Sequence, residues 1–153
     1  MDLILWRHAE AHLIKEGQND LDRSLTAKGE RQAARMADWL SQRLAQGTRV
    51  LVSPARRCQQ TAKALGNNFK TLEALAPEAS GEALLKAARW PESTEPVLVI
   101  GHQPTLGLVA AHLLADVPQE WAIKKGAVWW FRHRDREGCA QVVLQAMQAP
   151  DCL

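Results

Sequence analysis

The chain predicts an α/β fold, a three-layer α/β/α sandwich whose central, mostly parallel sheet gains antiparallel strands at its C-terminal end. Three observations predict it. Short apolar runs alternate with segments of helical periodicity. One run, Val97-Leu98-Val99-Ile100, is apolar at every position, as a strand covered on both faces requires. The last third of the chain changes to the pattern of a hairpin.

Taken in order, Leu3 to Trp6 reads as the first strand, and Asp22 to Gly29 as a turn entering a helix. From Glu30 to Ala45 the apolar residues Ala33, Met36, Ala37, Leu40 and Leu44 fall at helical spacing and predict one buried stripe. Thr26 is the expected N-cap and Gly47 the expected stop. Val50 to Val52 forms a second strand, broken by Ser53-Pro54, and Ala55 to Leu65 a second helix that ends at Gly66. Gly81 to Trp90 and Thr105 to Ala115 read as further helices on either side of the Val97–Ile100 strand. Ala127 to Arg132 and Ala140 to Met147 flank the polar segment Asp135 to Gly138, and are expected to pair.

With 153 residues the chain is expected to form one domain, spanning residues 1–153, large enough to bury about two-thirds of the surface exposed by its unfolded form. Apolar residues make up 46% and charged residues 24%, which excludes a disordered chain. A net charge of +2, with no dense basic run, argues against a nucleic-acid partner. No apolar stretch reaches the roughly 18 residues of a membrane span, and Met1 to His8 lacks the basic start of a secretory signal. Cys58, Cys139 and Cys152 are too few and too far apart for a disulfide framework or a zinc knuckle. A cytoplasmic protein is the expectation.

The chemistry lies where three apolar runs stop. The first enters Arg7-His8, the second enters Ser53-Pro54 with Arg57 one turn later, and the third enters Gly101-His102. In open α/β sheets ligands bind beyond the carboxyl ends of the strands. Two arginines and two histidines gathered there repel one another unless an anion sits among them. Phosphate is the natural occupant, because a guanidinium meets its oxygens bidentately. Each piece alone is a common surface or turn feature; their shared placement carries the reading. No cysteine is followed by five residues and an arginine, and no Gly-rich phosphate loop is present. Asp20-Leu21-Asp22 has no strand before it, so an aspartyl nucleophile is set aside. His12, His112 and His133 make no ligand spacing, and neither metal nor cofactor is expected.

These residues also resemble a known family. Trp6-Arg7-His8-Ala9 is similar to the Arg-His-Gly opening of the histidine phosphatase superfamily, and within it to the short SixA-type phosphohistidine phosphatases. Leu25-Thr26-Ala27-Lys28-Gly29-Glu30-Arg31-Gln32-Ala33 resembles its Leu-Thr-x-x-Gly-x-x-Gln-Ala segment. Ser53-Pro54-Ala55-Arg56-Arg57-Cys58-Gln59-Gln60-Thr61 resembles its Ser-Pro-x-x-Arg-x-x-Gln-Thr segment, and Gly101-His102-Gln103-Pro104 its second-histidine turn. By that spacing Arg57 is the functional arginine and Arg56 a solvent-facing neighbour. Ala9 stands where many members have Gly, which restricts the backbone there, and Ser24 where many have Pro.

The resemblance implies a phosphoglycerate-mutase-like fold and a metal-independent covalent route. His8 attacks phosphorus, water hydrolyses the phosphohistidine, and Arg7, Arg57 and a protonated His102 bind and stabilise the phosphoryl oxygens. A phosphoester needs an acid to protonate its leaving group. Glu73, Glu78 and Glu82 fall in the interval where relatives carry one, but Ala74 stands where the acid is expected. Phosphoimidazole leaves without such help. The 44 residues between Arg57 and His102 are too few for a large cap over the site. The expected substrate is therefore a phosphohistidine-bearing protein, such as a histidine phosphotransfer protein. Alternatives are a small-molecule phosphomonoesterase of the same superfamily and a catalytically inactive phospho-binding module.

Overall fold

The computed structural model describes residues 1–153. Strand β1 (Asp2–Arg7) is followed by a long loop with one 3₁₀ turn at Asp20–Asp22, then helix α1 (Ala27–Ser41). Strand β2 (Arg49–Val52), helix α2 (Arg56–Leu65) and the short strand β3 (Lys70–Thr71) come next. Helix α3 (Gly81–Ala88), strand β4 (Val97–Gly101) and helix α4 (Thr105–Ala115) precede the long hairpin of β5 (Val128–Arg136) and β6 (Cys139–Gln148). The sheet has the order β3-β2-β4-β1-β5-β6, with the first four strands parallel and β5 antiparallel to both β1 and β6. The expected sandwich is the observed one.

Strand alternation builds the two cores. Leu3 and Leu5 of β1, with Val97 and Val99 of β4, face Leu84 of α3 and Leu106, Val109 and Ala110 of α4. Ile4 and Trp6, with Leu98 and Ile100, face Met36, Ala37 and Leu40 of α1 and Cys58 and Ala62 of α2. Each fully buried Leu or Ile here contributes roughly 1.5–3 kcal/mol. The absence of polar positions in Val97–Ile100 follows directly, since both faces of β4 are covered.

Thr26 caps α1 as expected, its Oγ1 accepting from Gly29 N at 3.0 Å. The helix stops at Ser41, short of Ala45. Ser41 Oγ donates to the Asp38 carbonyl, an alternative to the helical ladder. Leu44 still packs on the core, but from a turn, so its spacing imitates another helical residue. Gly47, with φ +81°, serves the turn into β2. Strand β3 was not foreseen; two exposed residues carry no periodicity. No helix is long and apolar enough to cross a membrane.

Two glycines record close approaches. A Cβ on Gly29 would overlap the Glu10 carbonyl oxygen, and one on Gly107 the Trp121 carbonyl oxygen. The first pins α1 to the loop after β1. The second pins α4 to the segment of residues 117–126, which crosses the carboxyl end of the sheet.

Candidate active site

The order β2-β4-β1 makes the three motif-bearing strands immediate neighbours, with Arg7 opposite Gly101 and Val52 opposite Ile100. Beyond the last pairs, His8 N donates to Gly101 O at 3.2 Å and Ser53 N to Ile100 O at 3.1 Å. Register thus brings His8, Ser53 and His102 to one level at the end of the sheet. Arg57 arrives from the first turn of α2 and is 3% exposed. Arg56, one residue earlier, faces solvent, as the spacing requires. Arg7, His8, Arg57 and His102 line one cleft of about 180 Å³, together with Arg23 and Lys125.

The histidines carry defined protons. His8 Nδ1 lies 2.8 Å from the Ala9 carbonyl. A carbonyl only accepts, so Nδ1 holds the hydrogen and Nε2 keeps a free lone pair. His102 Nε2 lies 2.7 Å from Ser53 Oγ, and its Nδ1 3.4 Å from Nη2 of Arg57. A guanidinium only donates, so His102 carries its hydrogen on Nε2 and gives it to Ser53. The two rings stand 5.3 Å apart, centroid to centroid. Burial first, then the Arg57 and Arg7 charges, push His8 down to about 4 despite the Ala9 hydrogen bond. Burial, His8 and Arg57 push His102 down to about 3. Both imidazoles are neutral at pH 7. The protonated His102 expected from sequence is therefore not what the protein's own groups produce, because the nearby Asp20 carboxylate offsets only part of the effect of burial and cationic neighbours.

The arginines are held from behind. Arg7 Nη1 donates to the Ile123 carbonyl at 2.7 Å. Arg57 donates through Nη1 to the Asp20 carbonyl at 2.9 Å and through Nη2 to its carboxylate at 3.0 Å. The Nε atoms of Arg7 and Arg57 are buried and meet no acceptor in the protein. Two guanidiniums beside two neutral imidazoles in one cleft form a seat for an oxyanion.

The motif residues that bear no charge act as clamps. Thr61 Oγ1 accepts from Ala9 N at 3.1 Å and donates to Arg57 O at 2.7 Å, tying the loop after β1 to α2. Gln60 Oε1 accepts from Leu25 N, and Gln32 Oε1 from Glu10 N. Gln103 bridges Gly107 N and Trp121 O. Ala9 does not adopt a positive φ, and its methyl group packs with Leu25 and Ala33, so the substitution for Gly carries no strain. Cys58 is buried with its thiol pushed up to about 12 by burial, which makes it inert as a nucleophile.

Three residues here escaped the sequence reading. Arg23 and Lys125 line the cleft, and Asp20 pairs with Arg57. Only the neighbouring Leu25-Thr26 motif hinted at Arg23. Glu73, Glu78 and Glu82 are exposed and none lines the cleft; Glu82 borders a groove between α3 and α4 instead. His12, His112 and His133 sit on three separate elements: the loop after β1, helix α4 and strand β5.

The family model of the histidine phosphatase superfamily (branch 1) matches residues 3–83. Phosphohistidine phosphatase SixA of Escherichia coli K12 is 33% identical over 121 residues, covering 74% of each chain. An uncharacterised protein of the cyanobacterium Picosynechococcus is 36% identical over 114 residues, covering 70% of this chain and 69% of its own. Among solved structures, a protein histidine phosphatase SixA complexed with tungstate superposes with a TM-score of 0.78 at 26% identity, covering 99% of both chains.

Proposed function

The chain belongs to the histidine phosphatase superfamily, and from that premise we propose that it hydrolyses phosphohistidine in a protein through a covalent intermediate on His8. The observation that carries the reading is a cleft with two neutral imidazoles among guanidiniums and no carboxylate in its lining.

Nε2 of His8 attacks phosphorus, and the bond from phosphorus to the departing imidazole nitrogen breaks on the opposite side. The lone pair needs no deprotonation first, because His8 is neutral and its other nitrogen is committed to Ala9. The transition state spreads charge over the equatorial oxygens, and the Arg7 and Arg57 guanidiniums lining the cleft stabilise that charge. The phosphoryl dianion also supplies the counter-charge that His102 lacks, raising its affinity for a proton. The substrate imidazole, carrying a proton on its other ring nitrogen, departs as a neutral ring and needs no carboxylic acid at the breaking bond, whereas an alkoxide does. Water then attacks phospho-His8, releasing phosphate and restoring the imidazole.

The test compares turnover of a phosphorylated histidine phosphotransfer domain with that of small phosphomonoesters, and quenches the enzyme during turnover. The expected result is preference for the phosphoprotein and acid-labile phosphate on His8. Preference for the phosphomonoesters, or full activity in His8→Ala, overturns the reading.

A further inference from the structure

The loop that follows His8 carries apolar side chains where solvent would ordinarily exclude them. Six large hydrophobic residues of the chain are exposed, and three of them, Leu13, Ile14 and Leu21, lie between β1 and α1. Leu13 is 85% exposed and Ile14 56% exposed, yet Leu13 also lines the catalytic cleft. Scattered exposed residues need no explanation, but an adjacent pair at the mouth of a phosphoryl site does.

The loop is braced. Ala11 bridges Leu25, His12 N donates to Ser24 O at 2.9 Å, and Arg23 Nη1 donates to the His12 carbonyl at 3.0 Å. Its tip is closed by Gln18, whose backbone and side chain both bond Lys15. Arg23 therefore belongs to the cleft and to the arm at once. Lys125, exposed and lining the same cleft, adds positive charge there, whereas the arm itself is mixed in charge, Lys15 being followed by the exposed Glu16 and Asp22.

We infer that Leu13 and Ile14 form a docking ridge for the folded protein that carries the phosphohistidine, a partner presenting an apolar collar around its modified histidine. This deepens the proposed function and rests on it. Arg7, Arg23, Arg57 and Lys125 make the cleft complementary to the phosphoryl group, and Leu13, which belongs to cleft and ridge alike, sets the exposed pair against the surface that delivers it. The ridge acts on KM for a protein substrate and leaves the chemistry at His8 untouched.

The experiment measures kcat/KM of the wild type and of the variant Ile14→Ser on two substrates: a phosphorylated histidine phosphotransfer domain and free phosphohistidine. A second variant, Met147→Ser, removes a side chain of matching exposure from β6. The ridge variant, which spares the cleft-lining Leu13, is expected to lose about fivefold or more on the domain, through KM, with free phosphohistidine unchanged. The β6 variant is expected to match the wild type on both, and unchanged turnover of free phosphohistidine also reports that the ridge variant is folded. Equal loss on both substrates, loss on neither, or an equal effect from the β6 variant overturns the ridge. A wild type inert on both substrates overturns the parent reading and the ridge with it.

Discussion

Arg57 Nη2 lies 3.0 Å from Asp20 Oδ2, although the arginine is 3% exposed and the carboxylate's side chain 45% exposed. The arginine proposed to bind phosphate thus keeps an internal anion on one edge while its Nε is left without an acceptor. Burial opposes the charge on Asp20, but hydrogen bonds from Arg23 and Arg57 hold its carboxyl below the usual range. The carboxylate orients the guanidinium and also repels an incoming phosphate.

Asp20→Asn separates those two effects. Arg57 Nη1 still bonds the residue-20 carbonyl, so the guanidinium stays aimed. One negative charge near the phosphate is gone. Inhibition by inorganic phosphate is expected to tighten by about threefold to tenfold, with a stability loss of about 1 kcal/mol, since the carboxylate is half exposed and the buried arginine keeps the residue-20 carbonyl. Weaker phosphate inhibition in the variant would show that the charge mainly serves orientation.

Neighbouring arginines are expected to differ sharply. Arg57→Ala removes a buried donor from the cleft and lowers kcat/KM by about 10²-fold to 10³-fold. Arg56→Ala, on the solvent side of the same turn, leaves it within about twofold. Steady-state kinetics on one substrate decides, and comparable losses would mean that Arg56 reaches the substrate.

The pH dependence follows from the two depressed imidazoles. Each has a folded-state pKa, about 4 for His8 and about 3 for His102, below the ordinary 6.5. Between those values the unfolded chain binds the extra protons, so stability rises with pH across that window and falls as acid is added. The expected slope is on the order of 1 kcal/mol per pH unit for each imidazole, read from urea midpoints between pH 6.5 and 4.5. Over the same range the His8 ring signals in NMR show no titration near 6.5, because the imidazole is already neutral. A His8 signal that titrates at 6.5 would place the ring in a far more solvated setting.

Gly29→Ala tests the contact between α1 and the loop after β1. Alanine favours a helix by about 1 kcal/mol over glycine, yet its Cβ would overlap the Glu10 carbonyl. The clash is expected to win, with a net loss of about 1–3 kcal/mol and a fall in Tm of about 5 °C. A variant that melts higher than the wild type would show that the loop yields.

Much of this site could be read from sequence because its chemistry sits at the ends of strands. The run Val97–Ile100 announces a doubly covered strand, and His102 must emerge where it stops. Motif spacing separates Arg57 from Arg56, since α2 turns only one of them inward. The rest depends on contacts between distant loops. Asp20, Arg23 and Lys125 belong to segments without periodicity, and nothing local shows that a loop will fold back on a guanidinium. Leu44 misleads for the opposite reason, keeping helical spacing after the helix has ended. Protonation of His102 depends on burial and on the charges of His8 and Arg57, none of which its own neighbours in sequence disclose.

Strand β1 lies between β4 and β5, and Arg7 is fastened to the Ile123 carbonyl on the segment that crosses the sheet's end. The amino-terminal Arg7-His8 pair is therefore useless until residues from the far half of the sequence have taken their places on both sides of it. Such long-range pairing is slow to form. On the proposed reading catalysis is a late product of folding, and a partly assembled chain carries the proposed nucleophile without the means to use it.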